Sequence, residues 1–407
     1  MKKILITINT LGLAGAEVAL LGMLNQLDPK EYEVSLFVLT GQGELIQRVP
    51  KHVKLLNKEY CDSSVLSAQG RRHLMKTVLK SLIGKGKGIT LFPYLCKHLV
   101  KQIGKGKIRP DKLLWRVLSD GAERFEQTYD LAVAYLEGGA TYYVSDHVKA
   151  TKKATFLHVD YSQAGYSRSL DRCCYHNFDK VFTVSDEVKD SFLAIYPECA
   201  DKTQVFHNIL NQDSIREKAK LPGGFTDGYQ GMRILTVGRL TAQKAFEVSI
   251  EAMKLLKERG VQARWYVLGE GDQRNVLTTK IHQLGLEEDF VLLGAVDNPY
   301  PYYVQTDLYV HATRFEGKSI AIQEAQTLGC PILVSDCSGN REQVNHNVDG
   351  LLCDLTPEAV CEGVFTLLQD EEKRRMLAKE AAKKQLTNPQ EIEKLLVLLK
   401  ENIHTKD

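Results

Sequence analysis

A repeated rhythm constrains this chain more than any other feature. Short apolar runs alternate with turns and amphipathic segments, and the pattern is laid down twice. Runs rich in Val, Ile and Leu at Ile4–Ile8, Val34–Leu39, Leu131–Tyr135, Thr155–Leu157 and Val181–Val184 read as strands covered on both faces. Between them, Ala16–Leu27 and Asp186–Ile195 carry apolar residues at helical spacing. Parallel strands need a crossover, so this alternation marks βαβ units. The glycine-rich stretch Leu221–Gly231 breaks the rhythm, and strands resume at Ile234–Val237, Trp265–Leu268, Val291–Leu293, Leu308–Val310 and Ile332–Val334.

The expected fold is therefore α/β: two doubly wound, Rossmann-like domains facing across a cleft. Residues 1–210 form the first, with an insert at about 64–118, and residues 211–385 form the second, the break falling near 208–230. A total of 407 residues suits two domains better than one core. In the remaining 386–407, a helix over Glu391–Lys400 places Ile392, Leu395, Leu396 and Leu399 on one face. That face must dock, and the first domain is one place for it.

Composition is that of an ordinary globular protein, 43% apolar and 26% charged. No run of about 18 apolar residues is present, so no transmembrane helix is expected. The opening Met1–Ile8 reads as a first strand, because Asn9 and Thr10 cut its apolar run too short for a signal peptide. Nine cysteines without a CxxC pair read as reduced thiols in a cytoplasmic protein. Net charge is +2, yet Arg71–Arg116 holds thirteen Lys or Arg against one acid, Asp111. A basic block in an otherwise acidic chain points to an anionic partner.

Ligands of open α/β sheets bind beyond the carboxyl ends of the strands, and the notable motifs sit there. Gly12 and Gly15 fall between the first strand and first helix, where a phosphate can approach helix amides; a plain tight turn explains them equally. No acidic residue ends a second strand suitably for a ribose, which counts against a dehydrogenase. Arg239 and Lys244 follow the first strand of the second domain, where two cations can neutralise a diphosphate or simply face solvent. Gly269 and Gly271 permit ligand contact or a simple turn.

The segment Thr313–Gly329 is the most specific. Glu316 and Gly317 are expected to end a strand, and Ser319 to cap a helix running to Leu328. Glu324 lies inside that helix among Ile320, Ala321, Ile322 and Ala325, so its carboxylate needs a ligand hydroxyl or a structural hydrogen bond. This stretch is expected to face Arg239 and Lys244 across the inter-domain cleft.

These residues resemble family 4 of the retaining glycosyltransferases, which have the GT-B fold. Glu316 and Glu324 match its E-x7-E motif, and Arg239 with Lys244 its phosphate-binding pair. Gly12 and Gly15 match its N-terminal glycine loop, with Ala16 and Glu17 completing the Gly-Ala-Glu often seen there. Asn298–Tyr309 and Ser335–Glu342 are similar to the segments flanking the motif. Members building bacterial capsule, exopolysaccharide or other surface glycans are the most similar.

The resemblance implies transfer of a hexose or N-acetylhexosamine from a nucleotide sugar, expected to be a UDP-sugar, to a glycan or undecaprenyl-diphosphate-linked saccharide. It implies that Arg239 and Lys244 hold the diphosphate, with Gly15, Gly271 and the helix start at Lys318, Ser319 and Ile320 on the donor. Glu324 would accept from the ribose, while Glu316 and His158 would meet the donor sugar. On its own His158 reads more readily as a structural strand-end residue. Lys318 departs from the aromatic residue common in the family, which leaves the donor sugar open. No Asp-x-Asp arrangement stands in a suitable place, so no metal or other cofactor is expected.

Within the basic insert, Leu74, Val78, Leu79, Leu82 and Ile83 recur at helical spacing, and Leu91, Phe92, Leu95, Leu99, Val100 and Ile103 form a second apolar set. Basic amphipathic helices suit an anionic membrane surface or a lipid-diphosphate acceptor, and a peripheral location; a solvated lid is the plain alternative. Aromatic interleaving is too sparse for nucleic acid. Two other functions stay open: a nucleotide-sugar epimerase, and a non-catalytic binding protein that keeps the fold.

Overall fold

A computed structural model of the protein describes residues 1–65, 67–83, 110–162, 164–166, 168–386 and 388–400. The chain divides into two compact units, Met1–Ile209 with Pro389–Asp407, and Leu210–Asn388.

The first unit is built on a seven-stranded parallel sheet. Its strands are β1 (Lys2–Ile8), β2 (Tyr32–Val38), β3 (Lys54–Leu55), β4 (Tyr129–Ala134), β5 (Ala150–Leu157), β6 (Lys180–Thr183) and β7 (Thr203–Val205), in spatial order β3-β2-β1-β4-β5-β6-β7. The order reverses between β1 and β4, which pair in parallel from Ile4 with Leu131 to Thr7 with Ala134. Alternate side chains of β1 enter different cores. Ile4, Ile6 and Ile8 join Leu20, Met23, Leu24 and Phe206, whereas Leu5 joins Phe37, Tyr143 and Val144. Both faces of the sheet are thus covered, which is why Ile4–Ile6 of β1 and Leu131–Ala134 of β4 are apolar at consecutive positions.

The helix Glu391–Lys400 completes the first of these cores with Ile392, Leu395, Leu396 and Leu398. Its start is fixed by the His207 amide donating to Glu391 (2.9 Å) and Lys394 donating to the Val205 carbonyl (2.9 Å). Most of the first unit's chain therefore precedes residue 210, but one wall of its core comes last.

Two helices of the expected insert are described, Ala68–Ile83 and Pro110–Gly121. The second apolar set, Leu91–Ile103, lies outside the described residues. The first set does not form one stripe. Leu74 and Val78 pack on the core, while Met75 and Leu79 are exposed (65% and 50%) beside Arg72, Lys76 and Lys80. Arg116, counted among the block's cations, is fully buried (0% exposed). Its guanidinium donates to the Leu170 carbonyl (2.8 Å), the Asp171 carbonyl and Asp146 (2.8 Å), and lies 3.6 Å over the Tyr142 ring. The Asp171 carboxylate in turn accepts from Tyr142 (2.8 Å), Tyr161 (2.7 Å) and Tyr196 (2.5 Å). That cation is a structural tie rather than part of a basic surface.

The second unit holds β8 (Met232–Val237), β9 (Ala263–Leu268), β10 (Phe290–Gly294), β11 (Leu308–His311), β12 (Ile332–Ser335) and β13 (Leu351–Cys353), in the parallel order β10-β9-β8-β11-β12-β13. Trp265, Val267, Ile250, Met253, Val364 and Leu367 are among its fully buried side chains. The glycine-rich stretch 221–231 is not a free linker. Asp227 pairs with Arg233 (3.0 Å) and Arg264 (2.9 Å) and accepts from Tyr266, which pins the stretch to the second unit. The preceding helix Gln212–Ala219 is tied there as well, since Gln212 exchanges hydrogen bonds with the Lys384 carbonyl (3.2 Å) and the Leu386 amide (3.0 Å).

Candidate functional site

Sheet order in the second unit reverses between β8 and β11, which pair through Leu308 with Ile234 and Tyr309 with Leu235. The crevice beyond the carboxyl ends of such neighbours is where this fold binds ligands. Arg239 follows β8, and among the described residues its exposed guanidinium has no ion-pair partner. Lys244 ends the short turn Ala242–Lys244, after which Ala245 adopts a left-handed backbone (φ 46°). A left-handed alanine carries local strain and turns the chain sharply into the helix Phe246–Glu258.

Glu316 does not end a strand as expected. β11 stops at His311, and Glu316 lies in the loop beyond it. That loop is fastened to the Lys244 turn. Gln243 donates to the Phe315 carbonyl (2.8 Å), and Arg314 donates its amide to the Gln243 carbonyl (2.9 Å). Thr313 and Ser335 exchange bonds at 2.8 and 2.7 Å. From the other side Gly339 presses so closely that a β-carbon there would lie 2.4 Å from the Glu316 carbonyl. This accounts for the glycine in Ser335–Glu342.

Lys244 and Glu316 form a direct ion pair, each side chain 14% exposed. They share one unit, so the expectation that they face each other across two domains is corrected. His311, which is 2% exposed, completes the group: its Nε2 lies 3.1 Å from Lys244 Nζ, 3.2 Å from Glu316 Oε2 and 3.4 Å from Ser319 Oγ. Its Nδ1 lies 3.0 Å from the Tyr309 hydroxyl. Burial works to raise the Glu316 carboxyl, but Lys244 and His311 outweigh it and hold it down to about 2. Burial, then the Lys244 charge, lowers the His311 ring despite the opposing Glu316 carboxylate.

Ser319 stands at the N-cap position of the helix Ile320–Thr327, but its hydroxyl makes no capping bond and faces His311 instead. The first amides of that helix are left without a side-chain cap. Lys318 precedes it, and Ile320 opens it with 6% exposure. Glu324 is 7% exposed and accepts from Tyr300 (3.1 Å) and Tyr303 (3.2 Å). Burial pushes its carboxyl up to about 7, against the two tyrosine hydroxyls. Gly271 has a packing reason to be glycine, since a β-carbon there would meet the Leu240 carbonyl at 2.0 Å.

Gly15 and His158 lie in the first unit. Gly15 opens the helix Gly15–Leu24, which has no side-chain cap. His158 follows β5, packs 5.0 Å from the Tyr135 ring, and among the described residues its buried Nε2 has no partner. Burial lowers its pKa to about 4, so the ring is neutral. Its amide donates to Glu137 (2.9 Å), and Asn9 donates to the Glu137 carbonyl (3.0 Å), gathering the ends of β1, β4 and β5. Sequence reasoning passed over Glu137, His311, Tyr300 and Tyr303. The two tyrosines three apart, ahead of a carboxylate in an apolar helix, were a usable signal.

Residues 230–384 match the family model described as Glycosyl transferases group 1, so the second unit carries a domain of that family. Over 176 residues the chain is 31% identical to the N-acetylgalactosamine-N,N'-diacetylbacillosaminyl-diphospho-undecaprenol 4-alpha-N-acetylgalactosaminyltransferase of Campylobacter jejuni, covering 43% of this chain and 46% of that one. Over 200 residues it is 32% identical to an uncharacterized glycosyltransferase of Methanocaldococcus jannaschii, covering 47% and 51%. The chain thus spans about half the length of these curated relatives. Among solved structures it is similar to Anabaena HepE in complex with UDP and glucose, with a TM-score of 0.67 at 17% identity over 98% of this chain and 100% of that one. Sucrose-phosphate synthase from Thermosynechococcus elongatus gives 0.67 at 16% identity, covering 98% and 99%. At these identities the likeness establishes the fold, which is GT-B.

Proposed function

We propose that the protein is a retaining glycosyltransferase of the family 4 type. It would move a hexose or N-acetylhexosamine from a UDP-sugar to a glycan or undecaprenyl-diphosphate-linked saccharide in surface polysaccharide synthesis. One observation carries the reading: Lys244, Glu316 and His311 meet at the switch point of a parallel sheet, where the uncapped helix bearing Glu324 begins.

Arg239, Lys244 and the amides at Lys318, Ser319 and Ile320 hold the donor diphosphate. Negative charge grows on that group as its bond to the anomeric carbon breaks, and fixed cations and amides stabilise it most in the transition state. Glu324 accepts from the ribose hydroxyls, and Glu316 and His158 meet the donor sugar. The departing diphosphate takes the acceptor proton on the face it leaves, so configuration is kept. With two cations at the phosphates the reaction runs without a metal. The Campylobacter relative is named for a diphospho-undecaprenol acceptor, which supports a lipid-linked substrate here. The exposed basic helix Ala68–Ile83 supports peripheral attachment to an anionic inner membrane face.

The test is a panel of nucleotide sugars incubated with and without saccharide acceptors, with product configuration read by NMR and excess EDTA in parallel. The reading expects acceptor-dependent α-linked product, unaffected by EDTA. Donor altered without acceptor would make the protein an epimerase. Binding without any turnover would make it a non-catalytic partner.

A further inference from the structure

Lys244 is asked to do two things at once. Within the second unit it is the counter-ion of a Glu316 carboxylate that is only 14% exposed. In the proposed function it serves the donor diphosphate. An ammonium drawn toward a diphosphate loosens its hold on Glu316, and a largely buried carboxylate stripped of its cation is costly. Something else must then hold Glu316.

His311 is the group placed to do so. Its Nε2 reaches both partners of the ion pair, at 3.1 Å from Lys244 and 3.2 Å from Glu316. Its Nδ1 lies 3.0 Å from the Tyr309 hydroxyl, which can donate or accept. A neutral imidazole carries a single N–H, so two arrangements are available. With the proton on Nδ1, the ring donates to Tyr309 and Nε2 accepts from Lys244. With the proton on Nε2, the ring donates to Glu316 and Nδ1 accepts from a rotated Tyr309 hydroxyl.

We propose that His311 is a positioning residue that exchanges these two arrangements, accepting from Lys244 in the free protein and donating to Glu316 once the donor diphosphate engages Lys244. Glu316 then keeps its charge and place beside the sugar throughout. The ring keeps a single N–H throughout: Nδ1 releases a proton to water as Nε2 takes one up from water, and the Tyr309 hydroxyl rotates from acceptor to donor. The proposal rests on the reading of this site as a nucleotide-sugar site.

Two variants separate position from bulk. In His311→Gln the amide nitrogen reaches close to the place of Nε2 and can donate to Glu316. In His311→Leu shape is kept and every hydrogen bond is lost. Thermal unfolding identifies any variant that fails to fold. For folded protein, His311→Leu is expected to lower kcat about 10- to 100-fold, the worth of one hydrogen bond to a charged group, with the donor KM changed by less than about threefold. His311→Gln is expected to stay within about fivefold of the parent in kcat.

A second measurement does not depend on turnover. In protein labelled with 15N-histidine, the His311 signals are identified by their loss in His311→Gln, and UDP is titrated in. The expected result is movement of the proton from Nδ1 to Nε2 as UDP saturates. UDP that binds without changing the ring, or His311→Leu that turns over like the parent, overturns the proposal alone. Failure of UDP to bind the parent protein overturns the nucleotide-sugar reading and the proposal with it.

Discussion

The Lys244 ammonium is paired with Glu316, a residue 72 positions further along the chain, and the two are held at contact by the bonds from Gln243 to Phe315 and Arg314. The pair is thus a property of two loops locked together, not of two flexible side chains meeting by chance.

Removing Lys244 should therefore be felt in both chemistry and stability. Lys244→Ala is expected to lower kcat/KM for transfer by about 10²- to 10³-fold, the usual effect of deleting one transition-state charge partner. Glu316 titrates at about 2 in the folded protein against an ordinary 4.5, so its stabilisation is present above 4.5 and lost as pH falls through 2. The amount is about 3 kcal/mol at most. Urea unfolding of parent and variant at neutral pH and near pH 3 checks this: the parent should weaken on acidification more than Lys244→Ala does.

Glu324 has the opposite sign. Its carboxyl is raised from 4.5 to about 7, so the protonated form is the one the fold favours. That contribution is complete below pH 4.5 and disappears as pH rises through 7, costing up to about 3 kcal/mol. Glu324→Gln is expected to unfold at higher urea than the parent at pH 8 and near the same urea at pH 5. UDP affinity should run the other way, tightening from pH 6 to pH 8 in the parent and flat in Glu324→Gln. A parent whose urea midpoint does not fall over this range would contradict the assignment.

Arg116 supplies a test free of the active site. Its guanidinium serves two carbonyls, Asp146 and the face of Tyr142 at once, which an ammonium on a shorter fork cannot copy. Arg116→Lys is expected to cost about 2–4 kcal/mol in chemical denaturation, in the range for breaking a buried ion pair.

The exposed Met75 and Leu79 lie one helical turn apart among Arg72, Lys76 and Lys80. Vesicles containing anionic lipid should retain the protein at low salt and release it as salt rises. Replacing both apolar residues by Asp is expected to weaken retention by about tenfold or more without altering thermal stability. Equal retention of parent and variant would sink the membrane reading of this helix.

The strands read most plainly from sequence were those buried on both faces. β1, β4, β9, β11 and β12 each hold three or more apolar residues at consecutive positions. β3, β7 and β13 are two or three residues long, too short for any period to register. Glu324 stood out because an ionisable residue inside an apolar helix needs a partner, and Lys244 and Glu316 because charged residues that follow strands lie where such sheets bind ligands. The partners themselves did not stand out. His311 sits where a strand would end in any case, and nothing local says that Lys244, 67 positions earlier, will lie against it. Ser319 shows the limit from the other side: its position at the helix start was legible, but which group its hydroxyl would face depends on tertiary contacts.

The helix Glu391–Lys400 supplies one wall of a core whose other walls come from residues before 210. On a ribosome, chains emerge from the N-terminus and domains fold as their parts become available. Here the second unit, Leu210–Asn388, is complete while the first still lacks Ile392, Leu395, Leu396 and Leu398. Until synthesis reaches this helix, the face of β4 and β5 that carries Leu131, Val133, Ala154 and Phe156 lacks its cover, and apolar surface exposed in that interval is prone to aggregate.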